Sequence, residues 1–306
     1  MKIPKEAQKL SNKASEHIDN KEFEKSLKCL NQALEIEPNY AEAMSKLGFI
    51  HYKLDYKEMT KEEVFNLSKK ALDLNPKSPI VWRYMGIAYK NKKEYDKAIE
   101  CYKKALEIDA NDVNGWFGMG LAYDDKNEYD KAIECYKKAL EIDPNYVSAW
   151  NNMGVVYYHK REYDKAIECY KKTIELDANY VNGWFGMGLA YDNIKEYDKA
   201  DECFKNILNI KPEYKKIIRK SILNLGVKYN RLKTSEITEK CLIEEQNIKE
   251  KYIPIVAREM INNKEIYADY FKTSKSLVFD QRVNINEIDD LMKKYEEWEK
   301  EGISKK

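Results

Sequence analysis

Six cysteines and three histidines are the side chains of this 306-residue chain best suited to metal binding or nucleophilic chemistry. Five of the cysteines, Cys29, Cys101, Cys135, Cys169 and Cys203, fall at one position of a recurring unit. Helices pack about 8 to 10 Å apart, so cysteines of neighbouring units cannot share a zinc through Zn–S bonds of about 2.3 Å. They read as small, partly buried apolar residues of a reducing compartment. His17, His51 and His159 lie far apart, and the first two stand where later units carry Tyr, which points to packing. No H-E-x-x-H, G-x-S-x-G or phosphate-loop pattern occurs. The abundant carboxylates belong to solvated Lys/Glu faces such as Glu134, Lys137, Lys138 and Glu141. The expectation is a protein that is not an enzyme, with no catalytic residue, no metal and no cofactor.

Composition narrows the partners. Lys and Arg number 54 against 53 Asp and Glu, so the chain is not a general polyanion coat. Only six of the cations are Arg, poor provision for bidentate recognition of phosphate or guanine. No apolar run is long enough to span a membrane, and the opening MKIPKEAQKL lacks the apolar core of a secretory signal, so a cytoplasmic protein is expected. With 11 Gly and 7 Pro, helix should dominate.

The elements that position these residues repeat every 34 positions. Trp82, Trp116, Trp150 and Trp184 keep that spacing, as do Gly86, Gly120, Gly154 and Gly188, and Ala98, Ala132, Ala166 and Ala200. EYDKAIECYKK occurs unchanged from Glu94, Glu128 and Glu162. Trp116, Met119, Leu121 and Tyr123 share one helix, and Tyr129, Ala132, Ile133, Tyr136, Ala139 and Leu140 a second, joined by a short polar turn. An interior Gly costs a helix about 1 kcal/mol relative to Ala, so Gly120 implies close packing, expected against Ala132 with Trp116 and Tyr136 on either side. A longer rhythm is superposed: VNGWFGMGLAYD from Val113 returns at Val181, while the helix between reads VSAWNNMGVVYY.

Trp150, Met153, Gly154, Tyr157, Ala166, Tyr170 and, one unit earlier, Pro144 match the W-x2-L-G-x2-Y, A-x3-F and terminal P pattern, so the chain resembles the tetratricopeptide repeat family. Six units starting near residues 7, 41, 79, 113, 147 and 181 form an expected α-solenoid of helical hairpins over 1–214. The first lacks Trp and Gly. The second carries four extra residues, placed after Asp55, with Thr60 and Glu63 as a capping box. The resemblance implies a concave groove, lined by the first helix of each hairpin, that holds a peptide or a partner helix. By register it would present Asn114, Phe117, Leu121 and Asp124, then Asn151, Asn152, Val155 and Tyr158, then Asn182, Phe185, Leu189 and Asp192. Phe117 and Phe185 either anchor a partner beside Gly118 and Gly186 or pack between repeats; both readings stay open here. Chaperone-binding members of the family clamp a terminal carboxylate with Lys, Asn and Arg. Only Arg83 and nearby Lys46 are basic at the matching positions, and that clamp is not expected.

After Pro212 the period is lost. Tyr214 to Lys233 reads as a capping helix (215–233), with Asp201 giving the last repeat a wetter outer face. Residues 234–283 read as a small α+β module: a short helix from Thr234 or Ser235 through Leu242, a second starting at Pro254, then strands around Ile266–Tyr270 and Leu277–Phe279. That order resembles a winged helix. Residues 284–306 read as an amphipathic helix with Ile285, Ile288, Leu291, Met292, Tyr295 and Trp298 on one stripe. Between Lys215 and Arg282 there are 15 basic and 9 acidic residues, a mildly basic stretch. Glu250 and Glu259 nevertheless interrupt the helix that would read DNA. The expected function is a protein-interaction adaptor or scaffold holding a protein or peptide partner, with no membrane and an open oligomeric state. A nucleic-acid-associated regulator is the alternative.

Overall fold

The structure, a computed structural model, describes residues 3–55, 59–226, 231–233, 237, 246–263, 266, 268–271 and 276–279. Two compact units divide the chain, Met1–Leu176 and Asp177–Lys306.

The first unit is five helical hairpins: α1 (Lys5–Asp19) with α2 (Phe23–Ile36), α3 (Ala41–Lys53) with α4 (Lys61–Leu74), α5 (Pro79–Asn91) with α6 (Tyr95–Ile108), α7 (Val113–Asp125) with α8 (Tyr129–Ile142), and α9 (Val147–His159) with α10 (Tyr163–Leu176). Each helix packs on the next, and the first helices of successive hairpins also touch, α1 on α3, α3 on α5, α5 on α7 and α7 on α9. The second unit opens with a sixth hairpin, α11 (Val181–Asn193) and α12 (Tyr197–Ile210), followed by α13 (Pro212–Gly226), β1 (Arg231–Lys233), α14 (Gln246–Asn262), β2 (Ala268–Phe271) and β3 (Ser276–Phe279). The described residues thus hold six such hairpins, five in the first unit and one in the second, and five of the six start on the residue expected for their repeat.

Three recurring devices build each hairpin. The indole N–H of Trp82, Trp116, Trp150 and Trp184 donates to the carbonyl six residues back, on Pro76, Ala110, Pro144 and Ala178, at 2.7 to 2.9 Å. The incoming turn is thereby fastened to the helix it starts. Every hairpin turn then passes through a left-handed residue, Lys21, Asp55, Lys93, Asn127, Arg161 and Lys195, with φ between 54 and 65°, and none of the six is glycine. Third, the interior glycines admit an aromatic ring. A Cβ on Gly120 would lie 2.6 Å from Cε1 of Tyr136, and Gly86, Gly154 and Gly188 face Tyr102, Tyr170 and Phe204 in the same way. Gly120 therefore packs against Tyr136 rather than Ala132. Gly118 is filled likewise: the ring of Tyr102, from the preceding hairpin, would come within 2.7 Å of a Cβ there. The space left by the missing side chain of Gly118 is thus taken by that ring rather than left open beside Phe117. The expected capping box forms, with the Thr60 N–H donating to Glu63 Oε2 at 2.7 Å and the Glu63 N–H to Thr60 Oγ1 at 3.3 Å.

The second unit departs from expectation. Residues 231–233, read as the end of the capping helix, are strand β1, and α13 stops at Gly226. Pro254 lies inside α14 instead of starting it. The three strands form one antiparallel sheet in the order β1-β3-β2, with Leu232 opposite Leu277 and Tyr270 opposite Leu277. Strands of three and four residues do not establish a winged helix. Most of the short helix expected through Leu242, and all of the amphipathic helix expected over 284–306, lie outside the described residues. Asp201 is no wet terminus: its carboxylate accepts from Arg258 of α14 at 2.7 Å. Beside it Ala200, Phe204, Ile207 and Leu208 share one buried cluster with Ile218 and Ile222 of α13 and with Tyr252, Ile253, Val256 and Met260 of α14.

Candidate functional site

In the first unit the first helices of the hairpins enclose a cavity of about 430 Å³. Four helices contribute: Ser15, Ile18 and Asp19 from α1, Lys46, Phe49, Tyr52 and Lys53 from α3, Ile80, Arg83, Tyr84, Ile87 and Lys90 from α5, and Asn114, Phe117, Gly118 and Leu121 from α7. Helical periodicity explains the selection, since residues three, four and seven apart share a face.

Three of the sequence-derived groove residues, Asn114, Phe117 and Leu121, line this cavity. Asn114 is exposed, and its Oδ1 accepts from the Tyr146 hydroxyl at 3.0 Å. Phe117 is half-buried, with its ring centroid 5.0 Å from that of Tyr146 and 5.8 Å from that of Tyr136. It both packs and presents a face. Asp124, at the end of α7, is half-buried; burial pushes its carboxyl above the usual range, opposed by the nearby His159. On α9, Asn151 is buried, while Asn152, Val155 and Tyr158 are half-buried. Asn152 donates to the Ser148 carbonyl at 2.7 Å, and the Tyr158 ring meets those of His159 and Tyr163. Asn182, Phe185, Leu189 and Asp192 belong to the second unit. There Phe185 lies 6.1 Å from the Phe204 ring, and it and Leu189 pack against the buried cluster.

The cations of the cavity are what the sequence reading left out. Beyond Lys46 and Arg83, it holds Lys53 and Lys90. Arg83 Nε sits 3.0 Å from Asp112, and Lys90 is 3.1 Å from Asp125. Lys46 is only 4% exposed and donates to the backbone and hydroxyl oxygens of Ser11 at 3.1 and 3.0 Å. The signal was present in the spacing, because Lys46 and Lys53, like Arg83 and Lys90, are two helical turns apart.

The residues read as chemically bland behave so. Burial pushes the thiols of Cys101, Cys135, Cys169 and Cys203 up to about 12, which leaves them protonated and unreactive at neutral pH. His17 meets Glu22 at 2.7 Å, and His159 stacks on Tyr129 with centroids 5.9 Å apart. Among the described residues no three His, Cys, Asp or Glu side chains are grouped to hold a metal ion, and no helix is long and apolar enough to cross a membrane. The helix expected to read DNA, α14, buries Tyr252, Ile253, Ile255, Val256, Ala257 and Met260. Arg258 is held by Asp201, and Glu259 by Lys215 and Arg219.

Stacked two-helix units, an interior Gly under an aromatic ring and a groove on the first helices define a helical repeat protein of the interaction class. Models described as TPR repeat match residues 14–55 and 125–160, and others described as tetratricopeptide repeat match 79–112, 101–134, 147–180 and 181–214. These matches take in more than half of the chain, which belongs to the tetratricopeptide repeat family. The chain is 29% identical over 84 residues to the N-terminal acetyltransferase A complex auxiliary subunit NAA15 of Arabidopsis thaliana, a stretch that is 28% of this chain and 9% of that protein. Among solved structures it is similar to pilF of Pseudomonas aeruginosa, with 18% identity, a TM-score of 0.54 and coverage of 67% of this chain and 92% of that one. The Cut9–Hcn1 hetero-tetramer of the APC/C shows 15% identity and a TM-score of 0.58 over 68% of this chain and 40% of that one. Both likenesses show the fold.

Proposed function

We propose that the protein is a non-enzymatic, cytoplasmic adaptor whose first-helix groove holds an extended segment of a protein partner. The cavity of about 430 Å³ between α1, α3, α5 and α7 carries this reading: it joins apolar walls, Phe49, Ile80, Ile87 and Leu121, to a few polar groups that could fix a backbone. Asn114, Phe117 and Leu121 are its contact residues on α7, with Asp124, Asn151, Asn152, Val155 and Tyr158 further along the first unit. Asn182, Phe185, Leu189 and Asp192 offer the second unit's counterpart. The description of NAA15 as an auxiliary subunit of a complex is in keeping with such a role. A nucleic-acid role is disfavoured, because Arg258 and Glu259 of α14 are engaged within the second unit.

Peptides selected by phage display against the full chain test the groove. Their binding is expected to be lost in Ile87→Arg with Leu121→Arg while the helical circular dichroism is retained. Peptides that bind the double variant as tightly as the parent would place the interaction elsewhere.

A further inference from the structure

Lys46 poses an electrostatic problem that the fold alone does not solve. An ammonium taken out of water is costly unless a counter-charge meets it. Lys46 is 4% exposed, yet it bonds only the two neutral oxygens of Ser11, with no carboxylate within ion-pair distance among the described residues. Two turns further along α3, Lys53 faces the same cavity over the rings of Phe49 and Tyr52. It too has no carboxylate within that distance among the described residues. Among the described residues Asp19 is the one acid on the cavity wall, while Asp112 and Asp125 are taken by Arg83 and Lys90. Glu42 bonds the Ser78 hydroxyl at 2.9 Å. Burial pushes the Lys46 ammonium below its usual range, with Arg83 adding to the effect and Glu42 and Asp19 opposing it; Lys53, exposed at the cavity mouth, is pushed the same way by partial desolvation and by Lys90 and Lys21.

A second, independent observation comes from Tyr102. Its side chain lines the cavity and is 1% exposed, and its hydroxyl has no hydrogen-bond partner among the described residues. A buried hydroxyl without a partner forgoes its hydrogen bond with water and gains nothing in return. A ligand acceptor reaching the cavity floor would satisfy it.

Resting on the adaptor reading, we propose that the segment held in this groove is acidic: a peptide that places side-chain carboxylates at Lys46 and Lys53, with an acceptor for the Tyr102 hydroxyl. Its apolar residues lie on Phe49, Ile80 and Ile87. Side-chain carboxylates suffice, so a free chain terminus is not required. Two lysines two turns apart on one helix stand about 10 Å apart, the span of about three residues of an extended chain. The occupant therefore carries acids about three residues apart with an apolar residue between them.

Fluorescence anisotropy with the full chain tests this. The probe is a fluorescein-labelled, C-terminally amidated dodecapeptide of repeating Glu-Leu-Gly, compared with the same peptide bearing Gln or Lys in place of Glu. The Glu probe is expected to bind and to weaken with salt, and the Gln and Lys probes to bind at least about tenfold more weakly, a difference of 1.4 kcal/mol. Lys46→Met, which keeps the stem and removes the charge, and Tyr102→Phe should each weaken the Glu probe without lowering the unfolding temperature. Lys53→Gln is the variant least able to disturb the fold and should weaken it as well. Equal binding of all three probes, lost in the Ile87→Arg and Leu121→Arg variant, would overturn the acidic preference while leaving the groove reading intact. Binding of none would overturn both. Full Glu-probe binding by Lys46→Met and Tyr102→Phe would reduce these residues to structural parts and sink the proposal.

Discussion

The ring that sits on Gly120 ties sequence to packing through one missing methyl group. Gly120→Ala gains helix propensity of about 1 kcal/mol, but its Cβ would meet Tyr136 at 2.6 and 2.8 Å, and that ring is fully buried. Overpacking of this kind costs about 1 to 3 kcal/mol, so a net loss is expected in urea unfolding. Gly48→Ala is the control: its nearest neighbours are the Ser68 hydroxyl at 3.2 Å and a Val64 methyl at 3.5 Å, and it should change stability by no more than about 1 kcal/mol. Asp124 gives a pH signature. Its folded carboxyl titrates above the ordinary value, so the folded state binds a proton more readily than the unfolded chain does. Burying the carboxylate therefore weakens the fold at neutral pH, and the penalty fades as pH falls through the raised value. Asp124→Asn should raise stability at pH 7 by about 0.5 kcal/mol, a partly exposed group being screened, and the gain should vanish in acid. Thermal unfolding at a series of pH values reads this directly. These contacts were legible in the sequence only in part: Tyr136 was expected beside Gly120, but not seated on it. The 34-residue spacing marks Gly120 as special, but which ring fills it depends on how α7 meets α8, and Lys46 follows a polar pattern that says nothing of burial.

Elements fared better, because their boundaries are set by local chemistry. Trp and Pro or Ala six residues apart recur together since the indole N–H closes on that carbonyl, and this coupling marks four helix starts, Pro79, Val113, Val147 and Val181, to the residue. Turn conformation was less legible. Left-handed residues usually announce themselves as Gly or Asn, yet Lys21, Lys93, Arg161 and Lys195 occupy the position here. Lys93, at φ 61°, is followed by the Glu94 N–H donating to the Tyr89 carbonyl at 3.0 Å, a bond that holds the chain in that conformation. Lys93→Gly should relieve strain and stabilise the protein by up to about 1 kcal/mol, whereas Lys93→Val should destabilise it by about 1 to 2 kcal/mol, as measured by thermal unfolding. In the second unit, Pro254 misled for a physical reason. Proline favours a helix start, but Tyr252 and Ile253, just before it, are fully buried in the cluster with α12 and α13, and that packing carries helix α14 back to Gln246.

At the scale of the molecule, helices in residues 1–176 make their main contacts with the next helix or the equivalent one in the adjacent hairpin. Stability then approximates a sum over repeats and neighbouring interfaces, so a whole unit can be removed without a hole. Deleting residues 113–146 joins Asp112 to Val147, and Val147 opens α9 as Val113 opens α7. The shortened chain is expected to fold with its helical signal intact. Its denaturant slope should fall with the surface it no longer buries, and its stability should drop by one repeat and one interface. The groove supplies the discriminating readout. Asn114, Phe117, Gly118 and Leu121 leave with α7, but Lys46 and Lys53 on α3 and Arg83, Ile87 and Lys90 on α5 remain. Asn151 then takes the register position of Phe117, so an amide replaces a ring on that wall. Acidic-peptide binding should weaken yet keep its preference for Glu over Gln, since the cations that set the preference are untouched. A shortened chain that folds but has lost that preference would locate the charge recognition on α7, and one that fails to fold would show that the repeats are coupled beyond nearest neighbours.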